Sequence, residues 1–101
     1  MFQTKQGDTR TALKATLTPV ETLENVSAIR FVMSTTLFKE IINRPVDAMN
    51  LPDVIVIFTP QEVAKAGLFL GEFVVEYDDD KIETFPNQGY INITIQKKLG
   101  E

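Results

Sequence analysis

The chain has no cysteine, no histidine and no tryptophan among its 101 residues. Without cysteine there are no disulfides, so packing alone must hold the fold. The same absences remove Ser-His and Cys-His nucleophilic pairs, classical zinc sites and the usual general base near neutral pH. The composition therefore favours a non-enzymatic protein that needs no cofactor and no metal.

The sequence also lacks an excess of positive charge and any long apolar run. Its 14 acidic and 10 basic residues give a net charge of -4, which argues against a phosphate backbone as the main ligand. The longest apolar run, Val54 to Phe58, is far shorter than the roughly 20 residues that cross a bilayer. The chain does not open on a signal-peptide pattern. We expect a soluble, unexported protein that binds neither nucleic acid nor membrane.

What is present fits one domain built of strands. A length of 101 residues with 44% hydrophobic content predicts a single β-sandwich domain over residues 1–101. Apolar residues alternate with polar ones, a period of two that predicts strands with one buried face. The inward residues of the first two such strands are Leu13, Ala15 and Leu17, then Ile29, Phe31 and Met33. We expect the first strand to end at Pro19 and the second to be central in its sheet.

The middle of the chain is less regular. Ser34 to Asp53 has apolar residues at helical spacing, but its prolines limit any helix to about two turns. We interpret it as a long loop with one short helix or irregular strand. The run from Val54 to Phe58 is apolar on both faces and predicts a buried strand. Pro60 to Gly67 predicts a single helical turn, with proline at its start and glycine at its stop.

A hairpin follows, in which "LFLGEFVVEY" is joined to "KIETF" by an acidic turn. With Asp79 and Asp80 at the turn centre, Tyr77 would pair with Ile82, and the apolar face would stay together. The same register would pair Val75 with Thr84.

Strand-like sequence is interrupted at "PNQG" and then resumes as "YINITI". Pro86 cannot donate to a sheet ladder, and Asn87 and Gly89 tolerate the backbone of a kink. The strand run could therefore bend and continue, or switch sheets. Together these features predict an all-β fold, an antiparallel immunoglobulin-like sandwich of six to eight strands with one short helical turn.

Two acidic groups are candidates for chemistry. Glu76 and Glu83 would face each other across the predicted hairpin like a glycosidase pair, although a solvated sheet face is favoured. Asp78 to Asp80 could offer oxygens to Ca²⁺, but the spacing lacks the glycine and distal glutamate of a known calcium loop. A polar hairpin turn is the favoured interpretation.

An apolar row formed by Leu68, Leu70 and Val74 lies on the face of its strand opposite Phe69 and Phe73. An exposed apolar strip marks a protein contact more often than not. The row is predicted either to be such an interface or to be covered by a second layer of the same domain.

The stretches "TKQGDTRTALKATL" and "AGLFLGEFVVEYDDDKIETFPNQGYINITI" carry a resemblance to a known family. In their order and spacing they resemble the N-terminal domain of baseplate upper proteins from siphophages of Gram-positive hosts. The resemblance covers about two-thirds of the chain, and its most specific part is ETFPN-x-GY. Where that family typically has Tyr-Ala-Asp-Gly in the hairpin, this chain has Tyr77-Asp78-Asp79-Asp80.

The resemblance implies a structural domain of the phage tail, located in the virion and made in the host cytoplasm. It would anchor receptor-binding proteins to the tail tip, with the tail-hub protein as a second partner and oligomers within the baseplate left open. The alternative is a carbohydrate-binding module for host wall polysaccharide. Such modules stack sugars on exposed aromatic rings, for which Tyr90 is the candidate.

Overall fold

The structure, a computed structural model, describes residues 2–10, 12–17, 23 and 25–99. These residues form eight strands and no helix, so the predicted all-β class is confirmed. Pro19, the predicted end of the first strand, lies outside the described residues. No described segment is a helix able to cross a membrane. The strands are β1 (Phe2–Lys5), β2 (Leu13–Thr16), β3 (Val26–Thr35), β4 (Glu40–Val46), β5 (Asp53–Val56), β6 (Gly67–Tyr77), β7 (Ile82–Phe85) and β8 (Ile91–Gln96).

Six strands form one sheet in the order β1-β8-β6-β3-β4, with β7 also paired to β6. The pairing is antiparallel except between β1 and β8, which run parallel. The predicted alternation is observed in β3, where Ile29, Phe31 and Met33 are all buried. As predicted, β3 is a central strand, lying between β6 and β4.

The remaining strands, β2 and β5, form a two-stranded antiparallel sheet that packs against the inner face of the six-stranded sheet. Phe58, which follows β5, brings its ring within 5.7 Å of Phe2 and 5.9 Å of Phe31. One hydrophobic core therefore joins both sheets, which makes the fold a β-sandwich. The order β8-β6-β3-β4 facing β2-β5 is compatible with a variable-type immunoglobulin sandwich. Immunoglobulin-like topology stays a prediction.

The interruption at Pro86 divides one edge of β6 between two strands. β7 pairs with the second half of β6, ending at Phe85 opposite Phe73, and β8 pairs with the first half, starting at Ile91 opposite Gly71. The intervening residues 86–90 therefore protrude from the sheet edge opposite a single β6 residue. Of the two predicted alternatives, the strand run bends and continues in the same sheet.

The predicted register of the β6–β7 hairpin is wrong by one residue. Ile82 pairs with Glu76, not Tyr77, and Thr84 pairs with Val74. The cause is a three-residue loop in which Tyr77 and Lys81 form the closing pair and Asp80 has a φ of 65°. This loop, a turn followed by a left-handed residue, shifts the second strand by one position relative to a two-residue turn.

The segment from Ser34 to Asp53 contains β4, so the predicted long loop and short helix are wrong and the irregular strand is observed. Its irregularity is a bulge, because Met33 pairs with Ile42 while Ser34 pairs with Glu40. The apolar residues at helical spacing lie in the hairpin turn and around this bulge, so their spacing does not reflect a helix.

Two further predictions need correction. Residues 60–63 form hydrogen-bonded turns without becoming a helix. Thr59 and Glu62 cap each other's backbone N–H groups, and the two turn bonds, from Glu62 N–H to the Thr59 carbonyl and from Ala64 N–H to the Gln61 carbonyl, do not continue into a helical ladder. The strand β5, predicted to be buried on both faces, is buried on one face only. Val54 and Val56 are buried, but Ile55 is 43% exposed, since no third layer covers the outside of the two-stranded sheet among the described residues.

Candidate functional site

The predicted row of Leu68, Leu70 and Val74 lies on the outer face of the six-stranded sheet. Alternation along β6 sends Phe69 and Phe73 into the core and these three side chains away from it. Leu68 is 64% exposed, whereas Leu70 and Val74 are half-buried. The two-stranded sheet packs on the other face, so it does not cover the row.

Polar side chains flank the row on the neighbouring strands. Leu70 lies between Ser34 of β3 and Asn92 of β8 in the register. Val74 likewise lies between Arg30 and Thr84. Directly opposite side chains in a sheet are about 5 Å apart, so these polar side chains are the immediate neighbours of the row. Alternation along β6 also places the charged Glu72 on this face, between Leu70 and Val74. Leu68 and Leu70 are therefore the adjacent apolar pair, and an apolar patch with a polar rim is typical of a protein-binding surface.

An aromatic pair lies beside this row. Phe38 in the β3–β4 turn and Tyr90 in the loop before β8 have ring centroids 5.9 Å apart. They are 68% and 45% exposed. The turn of Phe38 follows β3 and the loop of Tyr90 precedes β8, the two strands whose residues flank Leu70. Sequence reasoning named Tyr90 but missed Phe38, because a lone aromatic residue in a turn carries no periodic signal.

Phe38 has an unusual backbone conformation, with a φ of 64°. Its N–H donates to the carbonyl of Thr35, and the N–H of Thr35 donates to Lys39, so the loop has the same three-residue form as the acidic hairpin. Positive φ is costly for a bulky side chain that makes no local hydrogen bond. An exposed ring held in a strained conformation contributes little to folding, which favours a role in binding.

An ion pair joins the two sheets at the edge formed by β4. Arg44 Nε donates to Glu62 Oε2 at 2.7 Å, and Arg44 Nη2 donates to Glu62 Oε1 at 3.1 Å and to the Ile57 carbonyl at 2.9 Å. Burial raises the pKa of the Glu62 carboxyl, but hydrogen bonds from Arg44 and Thr59 outweigh it and hold that pKa below its ordinary value. This arrangement is structural, because both carboxylate oxygens already accept hydrogen bonds.

The two glutamates predicted to face each other lie on opposite faces of the sheet. Glu83 pairs with Val75, while Glu76 pairs with Ile82, because of the one-residue register difference. On its own face, Glu83 Oε1 accepts a hydrogen bond from the Tyr77 hydroxyl at 2.7 Å. The geometry of a glycosidase pair, with two carboxyl groups flanking one bond, is therefore not formed by these residues.

The acidic residues 78–80 form the loop of the β6–β7 hairpin, as the favoured interpretation predicted. Asp79 Oδ1 accepts the Lys81 N–H at 3.2 Å, which closes the turn locally. Among the described residues, no group of three or more acidic side chains is placed to hold a metal ion.

An open cleft of about 500 Å³ lies beside the acidic hairpin, and two further clefts accompany the other features. One, of about 660 Å³, lies between β2 and the protruding loop at Pro86. The other, of about 470 Å³, lies at the start of β6 and includes the apolar side chains of Ile41, Leu68 and Phe69 in its lining. No family model, curated protein or solved structure matches the chain in comparisons with known proteins.

Proposed function

We propose that this domain is a non-enzymatic structural component of a phage tail baseplate, which anchors receptor-binding proteins to the tail tip in the virion. The binding role is supported by the apolar row on the outer face of the six-stranded sheet. The identity of the assembly rests on the sequence resemblance to baseplate upper proteins. The partner assigned to the row is the tail-hub protein.

Exposure and geometry support the row as a docking surface. Single exposed leucines are common on protein surfaces. Here Leu68 and Leu70 share one face of one strand, polar side chains surround them, and the exposed rings of Phe38 and Tyr90 lie nearby. Binding energy at interfaces concentrates in a few such apolar and aromatic anchors.

The acidic hairpin is compatible with the resemblance. Asp80 stands where the family pattern has glycine, and its φ of 65° is a conformation that glycine adopts freely. The chain thus differs from the pattern in residue type at a position whose left-handed backbone glycine adopts freely and aspartate tolerates at some steric cost.

The test is calorimetric titration of the domain with the purified hub protein of the same phage. Leu70→Asp and Val74→Asp should each keep the fold and weaken binding by at least about 2 kcal/mol, roughly 30-fold, because an unpaired charge in a dry contact is costly. Phe73→Asp should unfold the domain, because Phe73 is fully buried.

Ile55→Asp is the matched control, because Ile55 is an exposed apolar residue outside the row, on the two-stranded sheet. It should leave hub binding unchanged. If Ile55→Asp weakens binding and Leu70→Asp does not, the docking surface is on the other sheet. If Leu70→Asp melts like Phe73→Asp, the row is part of the core and the assignment is wrong.

The aromatic pair favours a second candidate, a carbohydrate-binding module. Sugars stack on exposed rings such as those of Phe38 and Tyr90. The two ring planes are inclined by 53°, however, so they do not form one flat platform. Titration with host wall polysaccharide, followed by NMR at Tyr90, distinguishes the candidates: saturable shifts that Tyr90→Ala abolishes would support the sugar-binding function.

A further inference from the structure

The two ends of β6 carry opposite charge. At its start lies the cleft of about 470 Å³, whose lining includes the cationic side chains of Lys39 and Lys65 around an apolar surface. At its other end, β6 leads into the acidic loop of residues 78–80. Both features are exposed, and they belong to turns fixed by backbone hydrogen bonds.

The positive charge of the cleft is not cancelled by the acid that lines it. Glu62 is the acidic residue in that lining, and Arg44 already binds both of its carboxylate oxygens. Within the described part of the chain, neither Lys39 nor Lys65 takes part in an ion pair. The two lysines therefore leave the cleft with an uncompensated charge of +2, in a protein whose net charge is -4.

The acidic loop presents the complementary chemistry. Its three aspartates are exposed, and the one lysine beside them, Lys81, lies 3.8 Å from Asp79 in a loose contact. Three carboxylates and one ammonium leave this tip with a charge of -2. Next to the tip, Ile82 is 64% exposed and offers an apolar side chain to the same surface. The tip thus combines negative charge with an apolar group, as the cleft combines positive charge with apolar walls.

These two surfaces cannot meet within one molecule. The 11 residues of β6 separate them, which at about 3.3 Å per residue is on the order of 35 Å. The molecule is elongated, measuring 49 × 27 × 19 Å. The cleft of one copy is therefore available to the tip of another.

We propose that the acidic tip of one copy docks into the basic cleft of the next, so that the chain associates head to tail with itself. Such a contact is heterologous, and its repetition gives a ring or an open filament. Because exposed ion pairs are individually weak, the association is expected only at high local concentration. At about 0.15 M salt the Debye length is about 8 Å, so repulsion between the acidic molecules is largely screened while the contacting charges still interact.

Sedimentation velocity over a concentration series up to about 1 mM tests the contact, since dissociation constants of this order are expected for weak pairs. Wild-type protein should show concentration-dependent association. Lys65→Glu should weaken it at least tenfold. The matched control is Lys14→Glu, because Lys14 is exposed on β2 and the substitution changes the net charge by the same amount.

A charge-exchange pair then locates the contact. Lys39→Glu with Lys65→Glu makes the cleft negative, and Asp78→Lys with Asp79→Lys makes the tip positive. Each double variant alone should stay monomeric, and an equimolar mixture should associate, because both of its contacts then join opposite charges. Thermal melts confirm that the variants fold.

Three results would overturn the proposal. Wild-type protein that stays monomeric at about 1 mM would mean that the cleft does not bind the tip of a second copy. Equal weakening by Lys14→Glu and Lys65→Glu would show that net charge, and not the cleft, governs association. A mixture of the double variants that remains monomeric would show that tip and cleft do not meet. Leu68 belongs to both the cleft and the row, whereas Leu70 and Val74 do not line the cleft. Hub binding is therefore measured separately, with Leu70→Asp and Val74→Asp.

Discussion

The ion pair of Arg44 with Glu62 joins the two sheets at the edge formed by β4. β4 is an outer strand of the large sheet, and the turn after Phe58 brings Glu62 beside it. The pairing is bidentate, which is the strongest geometry for an arginine and a carboxylate. The side chains are 33% and 15% exposed, so the pair is only partly screened by solvent.

We expect this pair to make stability depend on acid pH. Because the folded pKa of Glu62 lies below its unfolded value, its contribution is fully present above the unfolded pKa and is lost as the pH falls through the folded pKa. At pH 7, Glu62→Gln should lower the free energy of unfolding by about 1–3 kcal/mol. Urea titrations from pH 7 to pH 3 should show this difference shrinking below the unfolded-state pKa of glutamate, about 4.3.

Glu40→Gln is the control, since Glu40 is an exposed acid on the same strand as Arg44. It should change stability little at any pH. A difference between wild type and Glu62→Gln that is constant down to pH 3 would contradict the role of the Glu62 charge.

At the level of elements, two hairpins use the same three-residue loop with a left-handed third residue, Phe38 in one and Asp80 in the other. Glycine adopts this conformation without steric cost, whereas an ordinary side chain is strained there. The loop sets the strand register of the β6–β7 hairpin and thereby determines which side chains of β7 reach the core. Phe85 points inward because of it, and Ile82 points outward.

Glycine substitutions at two positions of the acidic loop should have different effects on stability. Asp80→Gly should leave stability unchanged or slightly higher, because relief of strain offsets the greater entropy of the unfolded chain. Asp79→Gly should lower stability by about 0.5–1 kcal/mol, because that residue does not need a positive φ and because glycine removes the acceptor of the Lys81 N–H. Thermal melts of both variants measure this, and an equal loss in both would contradict the left-handed assignment of Asp80.

A strand with one buried face shows a clean alternation of apolar and polar residues, and strands of this kind could be predicted from the sequence. β3, β6 and β8 were predictable for that reason, as was the outward direction of Leu68, Leu70 and Val74. β4 was not, because its inner face is interrupted by a bulge and includes the charged Arg44. The ion pair of Arg44 with Glu62 and the contact of Phe38 with Tyr90 depend on which distant turns meet, and no local pattern encodes that.

At the level of the whole molecule, the small sheet depends on the large one for its core. A two-stranded sheet is marginal by itself in water. Its buried side chains, together with Phe58, fill the inner face of the six-stranded sheet. We therefore expect both sheets to unfold together.

Phe58→Ala should lower the free energy of unfolding by about 3–5 kcal/mol, because it removes a fully packed ring between the sheets. Ile57→Ala, at a neighbouring position that is 66% exposed, should cost less than about 1 kcal/mol. Urea unfolding followed by far-UV circular dichroism and by tyrosine fluorescence should give one coincident transition. Two separated transitions would mean that the large sheet survives without the small one.

The parallel pairing of β1 with β8 has a mechanical consequence. A force that pulls Phe2 and Gln96 apart slides the two strands in opposite directions along their length, because Phe2 pairs near the start of β8 and Gln96 lies at its end. All the hydrogen bonds of the ladder then share the strain and must rupture together. A force applied between Gly67 and Gln96 instead peels antiparallel β8 from β6 one bond at a time. Single-molecule pulling should therefore require a higher rupture force in the first geometry than in the second, the behaviour of a domain suited to transmit tension along its strands.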